Sequence, residues 1–126
     1  SLAVASFAGS EAANALAAAN KRVANILTKV DESLPAINEQ LLTETAELAL
    51  RAALTESQVS LDVAVTNNDY PQALSNLAKL RDPVDAFFDN VLVNADDATV
   101  RLNRLALLQE LRGQFLQVAD LAVLAR

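Results

Sequence analysis

The sequence lacks cysteine, histidine, methionine and tryptophan, and its 126 residues include only two glycines, three prolines, four phenylalanines and one tyrosine. Without cysteine, the chain forms neither a disulfide framework nor a thiolate metal site. Without histidine, it lacks the commonest general base and the commonest metal ligand, which excludes a nucleophilic triad. No phosphate-binding glycine loop and no metal-ligand spacing is present either. These absences argue against an independent enzyme.

The scarcity of helix-breaking residues predicts a helical protein. Hydrophobic residues make up 52% of the chain, and most of them are alanine, leucine and valine. So few glycines and prolines leave little turn chemistry for a sheet. We therefore predict one all-α domain over residues 1–126, a bundle of about five helices. Because even the initiator methionine is missing, we expect a fragment of a longer chain.

The charge of the chain limits its partners. The formal net charge is −6, which argues against general attraction to nucleic acids, because phosphate contacts need clustered lysine and arginine. The longest uncharged apolar run is too short to span a bilayer and no signal peptide is visible, so we expect no membrane partner. The distribution of the ten basic residues therefore matters more than their sum.

Hydrophobic periodicity and turn residues divide the chain into helices. We read residues 1–8 as one end of a helix, broken at Gly9 and Ser10. Further helices are predicted over residues 11–30, 43–65, 70–80, from Pro83 onward and 98–125. Residues 31–42 are read as a connection with room for one helical turn, and residues 67–69 as a turn. The apolar residues from Val59 to Val65 alternate with a period of two, which is typical of a strand. Residues 58–66 are therefore either helical or extended. Gly113 is interpreted as a mark of close helix packing.

The helix over residues 11–30 carries a basic face opposite its apolar face. Lys21, Arg22, Asn25 and Lys29 fall within an arc of about 100° at the helical repeat. Such faces are usually solvated surface, whereas binding of RNA or phosphate is the functional alternative. This face is the first candidate site.

The stretch from Asp82 to Arg112 is the second dense arrangement. Asp82 is predicted to cap a helix that has Pro83 at its first position. Phe87 and Phe88 lie about 100° apart and cannot both face one core stripe. We expect one ring in the core, while the other packs between helices or stacks on a base.

An arginine face follows this aromatic pair. Arg101, Arg104 and Arg112 lie within an arc of about 80° on the last helix, and they either contact RNA or fix the helical corner through ion pairs. The acids available for such pairs are Asp85, Asp89, Asp96 and Asp97. We expect Asp96 and Asp97 to cap the helix and form ion pairs rather than bind a metal ion.

Two segments together resemble a known family. ALAAANKRVANIL (residues 15–27) and VDAFFDNVLVNADDATVRLNRLALLQELR (residues 84–112) resemble the helical anticodon-binding domain of the DALR type in the C-terminal region of bacterial glycyl-tRNA synthetase β subunits. A Tyr-x-x-Ala-Leu element at Tyr70 lies between them. The resemblance covers roughly residues 7–124, and it is weakest over residues 31–66, where Arg51 is the only basic residue.

The resemblance implies a role in tRNA recognition. The family's full enzyme is an α2β2 heterotetramer that joins glycine to tRNA(Gly) in the cytoplasm. The α subunit uses ATP with Mg²⁺, so this fragment is expected to hold the anticodon stem-loop without a cofactor of its own. The candidate RNA contacts are Lys21, Arg22, Asn25 and Lys29, with Arg81, Arg101 and Arg104 as weaker candidates. The alternative is a helical protein-interaction module that docks the partner subunit or other domains.

Overall fold

The computed structural model describes the backbone of residues 2–125 and the side chains of residues 11–125. This part of the chain contains five α-helices, one short 3-10 helix and no strand. The α-helices are α1 (Leu2–Thr28), α2 (Thr45–Thr66), α3 (Tyr70–Ala78), α4 (Arg81–Asn90) and α5 (Ala98–Leu124). The 3-10 helix, Glu39–Leu41, supplies the single turn expected in the connection between α1 and α2. The prediction of an all-α fold with about five helices is confirmed.

The predicted break near the start of the chain is wrong. The α1 helix begins at Leu2 and continues through Gly9 and Ser10. One glycine inside a helix costs about 1 kcal/mol relative to alanine, and the alanine-rich sequence around it has the highest helix propensity. A single glycine followed by serine is therefore too weak a signal to end this helix.

The ambiguous segment 58–66 is helical, because α2 continues to Thr66. Of its alternating apolar residues, Leu61 is buried at 2% exposure, whereas Val59, Val63 and Val65 are exposed. The alternation therefore reflects valines on the outer side of a helix rather than one face of a strand. The predicted turn after α2 is confirmed: Asn68 has φ 50°, a left-handed conformation that asparagine tolerates well.

The α4 helix begins earlier than predicted. It starts at Arg81 with Leu80 as its N-cap, so Asp82 is not the cap but lies in the first turn. The Val84 N–H donates to the Leu80 carbonyl at 3.0 Å, which connects α4 closely to the end of α3. Pro83 is tolerated in this first turn because the N–H it lacks has no intrahelical partner there.

The α5 helix forms the centre of the bundle and packs against α1, α2 and α3. An apolar seam at three- and four-residue steps is buried along its length: Leu105, Leu108, Leu111, Phe115, Val118 and Leu121. Gly113 does not mark a close approach, since a Cβ added there would meet no atom within 4 Å. The α1 helix covers one side of the bundle, where it contacts α3, α4 and α5, and its opposite face is open.

Candidate nucleic-acid interface

Three candidate residues lie on the open face of α1, and the fourth, Lys29, directly follows the last residue of this helix. Lys21, Arg22, Asn25 and Lys29 are all exposed, whereas Val23 on the inner side is completely buried. The prediction that these four share an outward face is therefore confirmed, and their contact with RNA stays a prediction. We call them the α1 basic face.

Arg22 is held in place by an aromatic ring. Its guanidinium carbon lies 4.2 Å from the centroid of the Phe88 ring, a cation–π contact between α1 and α4. Phe88 is half-buried and meets Phe87 edge-on, with ring centroids 5.9 Å apart, and Phe87 is completely buried. Phe87 is thus the core ring. Of the two alternatives for the other ring, the structure shows packing between helices, since Phe88 lies between α4 and α1 with one face covered by Arg22.

The two lysines of the α1 basic face keep their charge available. Among the side chains of residues 11–125, neither Lys21 nor Lys29 forms an ion pair. An ammonium group that is exposed and unpaired can neutralise a phosphate without first giving up a protein partner. The α1 basic face therefore has the charge that an RNA backbone requires.

Arg81 does not extend this positive surface. Its Nε lies 3.9 Å from Oδ2 of Asp85, one helical turn further along α4. The same short helix also exposes Asp82 and Asp89, so its surface is acidic overall. Arg81 remains a weaker candidate, because its charge is paired and its helix carries three exposed acids.

Arg101 holds the corner between α4 and α5. Its Nη1 donates to the carbonyls of Ala95 at 2.8 Å and Asp96 at 3.1 Å. Asp97 caps α5 as predicted, because its Oδ1 accepts from the Val100 N–H at 3.0 Å. Arg101 therefore fixes the corner as expected, although it does so through backbone carbonyls rather than through an ion pair.

Arg104 is buried and does not lie with the other candidates. Its Nε donates to Oε2 of Glu47 at 3.0 Å, and its Nη1 donates to the Leu92 carbonyl at 2.6 Å. Glu47 is completely buried, and Arg104 is 9% exposed. The other carboxylate oxygen of Glu47 accepts from the N–H groups of Thr43 and Glu44. Of the two alternatives for Arg104, the structure favours the ion pair over an RNA contact, and it corrects the partner, which is a glutamate of α2 rather than a nearby aspartate.

Sequence reasoning missed Asn103, which lies between these two arginines. The Asn103 side chain accepts from the Asn38 N–H at 2.7 Å and donates to the Asn38 carbonyl at 3.0 Å. It is 2% exposed and fixes the connection between α1 and α2 to the start of α5. Asn103 and Asn38 are 65 residues apart, so no local pattern links them. The only signal of a buried polar contact was the polar pair 103–104 beside the apolar residues of α5.

A groove of about 470 Å³ lies where the end of α1 meets the start of α5. Its apolar lining includes Ile26, Val30 and Leu102, and Lys29 and Arg101 also line it. We call it the Lys29 groove. Because Lys29 belongs to both features, the α1 basic face leads directly into this groove.

The described residues contain neither a cluster of metal ligands nor a membrane-spanning helix. No group of three or more acidic side chains that could hold a metal ion occurs there. None of the described helices combines the length and the apolar character that crossing a membrane demands. The Lys29 groove and the α1 basic face are thus the two candidate binding surfaces in the described residues.

Comparison with known proteins agrees with the two sequence motifs. The family model described as DALR anticodon binding domain matches residues 16–121. A glycine–tRNA ligase beta subunit of Shewanella oneidensis is 58% identical over 123 residues, and those of Shewanella baltica strain OS195 and Shewanella sp. strain MR-4 are 57% and 56% identical. Each match covers 97% of this chain but only 18% of the relative. The resemblance inferred from the motifs is confirmed.

Proposed function

The chain belongs to the DALR anticodon-binding domain family, and from that premise we propose that it holds the anticodon stem-loop of tRNA(Gly) for a glycine–tRNA ligase. On this proposal it is part of the β subunit of a cytoplasmic α2β2 enzyme and supplies RNA affinity rather than catalysis. ATP with Mg²⁺ then acts at the α subunit, and this chain has no cofactor of its own. The beta-subunit names of the relatives support this assignment.

The observation that carries the proposal is that the basic residues differ in their contacts within the protein. Five arginines are bound to other groups of the protein: Arg51, Arg81, Arg101, Arg104 and Arg112. By contrast, Lys21 and Lys29 are exposed and form no ion pair with any described side chain, and Arg22 between them rests on an aromatic ring. In a chain of net charge −6, this clustered exception is where an RNA backbone meets least repulsion.

The geometry of the α1 basic face suits a length of RNA backbone rather than one phosphate. Lys21 lies on α1, and Lys29 directly follows the last residue of this helix. At the helical rise, the eight residues between them separate their Cα atoms by about 12 Å along the axis. Lysine and arginine fix the backbone of a nucleic acid, whereas unstacked loop bases are read by stacking and by hydrogen bonds to their edges. Asn25 lies between the charges and can both donate and accept such hydrogen bonds.

The proposal is tested by glycylation kinetics. In the assembled ligase, the combined change Lys21→Ala, Arg22→Ala and Lys29→Ala is expected to raise the KM for tRNA(Gly) on the order of tenfold, because three exposed charge contacts contribute about 0.5 kcal/mol each. Glycine activation without tRNA and the melting temperature should change little. Lys79→Ala is the matched control, since Lys79 is an exposed lysine outside α1. An unchanged KM for tRNA in the triple variant contradicts the proposal.

The outer side of α2 favours a second candidate function, protein docking. Leu48, Ala52, Val59 and Val63 are all exposed and lie within an arc of about 60° on the helix. A row of exposed apolar side chains is typical of an interaction surface, here for the partner subunit or another domain. Val59→Asp distinguishes the two functions, because docking through α2 predicts weaker subunit assembly, whereas RNA binding through α1 predicts unchanged assembly and an unchanged KM for tRNA.

A further inference from the structure

The Lys29 groove has the size and walls of a ligand site. Its volume of about 470 Å³ falls within the range of roughly 300–1,000 Å³ that is usual for small-molecule pockets. Ile26, Val30 and Leu102 line it and are half-buried, so apolar surface remains open to solvent there. Covering that surface with a flat apolar group is favourable.

Arg101 gives the groove a planar cationic side. Its guanidinium is half-buried and is fixed by the two hydrogen bonds from Nη1 to the carbonyls of Ala95 and Asp96. A guanidinium that is already fixed loses little conformational freedom on binding, and its flat face stacks well on an aromatic ring. Nucleobases stack on arginine in this way when RNA loops are bound.

The charges at the groove favour a base over a phosphate. Asp31 and Glu32 belong to its lining and are exposed, and their carboxylates repel a phosphate. A carboxylate does accept hydrogen bonds from the amino group of a base, and Asn94 on the same lining both donates and accepts. Lys29 lines the groove together with these acids, whereas Lys21 and Arg22 lie outside it, along the rest of the α1 basic face.

We propose that the Lys29 groove receives one unstacked base of a single-stranded RNA loop while the α1 basic face binds the neighbouring phosphates. The inference rests on the proposed function and adds to it the place where a base is held. Lys29 lies at the junction between the two parts, and Arg101 contacts the base rather than the RNA backbone.

The test combines changes in the RNA with changes in the groove. Binding of the chain to the anticodon stem-loop of tRNA(Gly) is measured by fluorescence anisotropy, with the intact RNA and with a set of RNAs that each lack one loop base. For the unchanged chain, one abasic position should weaken binding by about tenfold or more, as the loss of a stacked base does. Val30→Phe fills the groove, so the same abasic position should then have no effect. Val30→Ala, the matched control, leaves the groove open and should keep the position-specific loss.

The outcomes separate this inference from the function on which it rests. If the triple change on the α1 basic face leaves RNA affinity unchanged, the proposed function fails. If that change weakens binding but the abasic losses are the same with and without Val30→Phe, the base site is overturned while the proposed function stands. Circular dichroism confirms folding of each variant, and Leu102→Phe replaces Val30→Phe if the latter does not fold.

Discussion

Two clusters of basic and amide side chains in this molecule differ in their exposure to solvent. The α1 basic face is exposed throughout, and its lysines form no ion pair among the described side chains. The α5 cluster, which comprises Arg101, Asn103 and Arg104, is half-buried or buried and bound to three other parts of the chain. Similar residue types are thus left exposed on one helix and hold the fold together on another, where Arg101 also lines the Lys29 groove.

The difference arises from how each helix is covered. The α5 helix packs against α1, α2 and α3, so a polar side chain that it buries must find hydrogen-bond partners, because an unpaired one costs several kcal/mol. The α1 helix leaves one side open, where a charge stays hydrated at no cost. An arginine on a helix therefore indicates an RNA contact only when that side of the helix is uncovered.

Breaking the buried ion pair should have the largest effect on stability. Arg104→Met is expected to lower the free energy of unfolding by about 3–5 kcal/mol, because the Glu47 carboxylate is left buried without its cationic partner. Urea denaturation at neutral pH measures the loss.

Arg112→Met is the matched control for that change. Arg112 lies on the same helix but is only half-buried, and within the described part of the chain its side chain forms one hydrogen bond, from Nη1 to Asn20 at 2.9 Å. Its loss should cost about 1 kcal/mol. Equal losses for the two variants would show that burial of the ion pair is not what distinguishes Arg104.

Releasing the connection should have a smaller and more local effect. Asn103→Ala removes both hydrogen bonds to the backbone of Asn38 and should cost about 1–2 kcal/mol. Amide hydrogen exchange should speed up within residues 31–42, while α2 stays protected. Gln109→Ala, at an exposed position on the same helix, should change stability by less than about 0.5 kcal/mol. Unchanged exchange in the connection would contradict this role of Asn103.

Local patterns in the sequence predicted most of the helices and the outward position of the α1 basic face. Both follow from a repeat of 3.6 residues, which a single segment carries. Signals that depend on one residue were less reliable. Gly9 did not end a helix, Asp82 did not begin one, and Gly113 did not mark close packing.

The interior contacts of the α5 cluster could not be predicted in the same way. Arg104 and Glu47 are 57 residues apart, and Asn103 and Asn38 are 65 residues apart. No periodicity links such positions, because their contact depends on how whole helices pack. For this reason the sequence left Arg104 open between an RNA contact and an ion pair with a nearby aspartate, whereas in the fold it is buried beside Glu47.

The salt dependence of RNA binding tests most directly whether the α1 basic face and the α5 cluster have separate roles. Affinity for the anticodon stem-loop is measured from low to moderate salt for the unchanged chain, for Lys21→Ala with Lys29→Ala, and for Lys79→Ala. The double variant should flatten the slope of log affinity against log salt by about 1.4, since each contact to a single-stranded phosphate contributes about 0.7. Lys79→Ala should leave the slope unchanged. A double variant whose slope equals that of Lys79→Ala would contradict the assignment of RNA binding to α1.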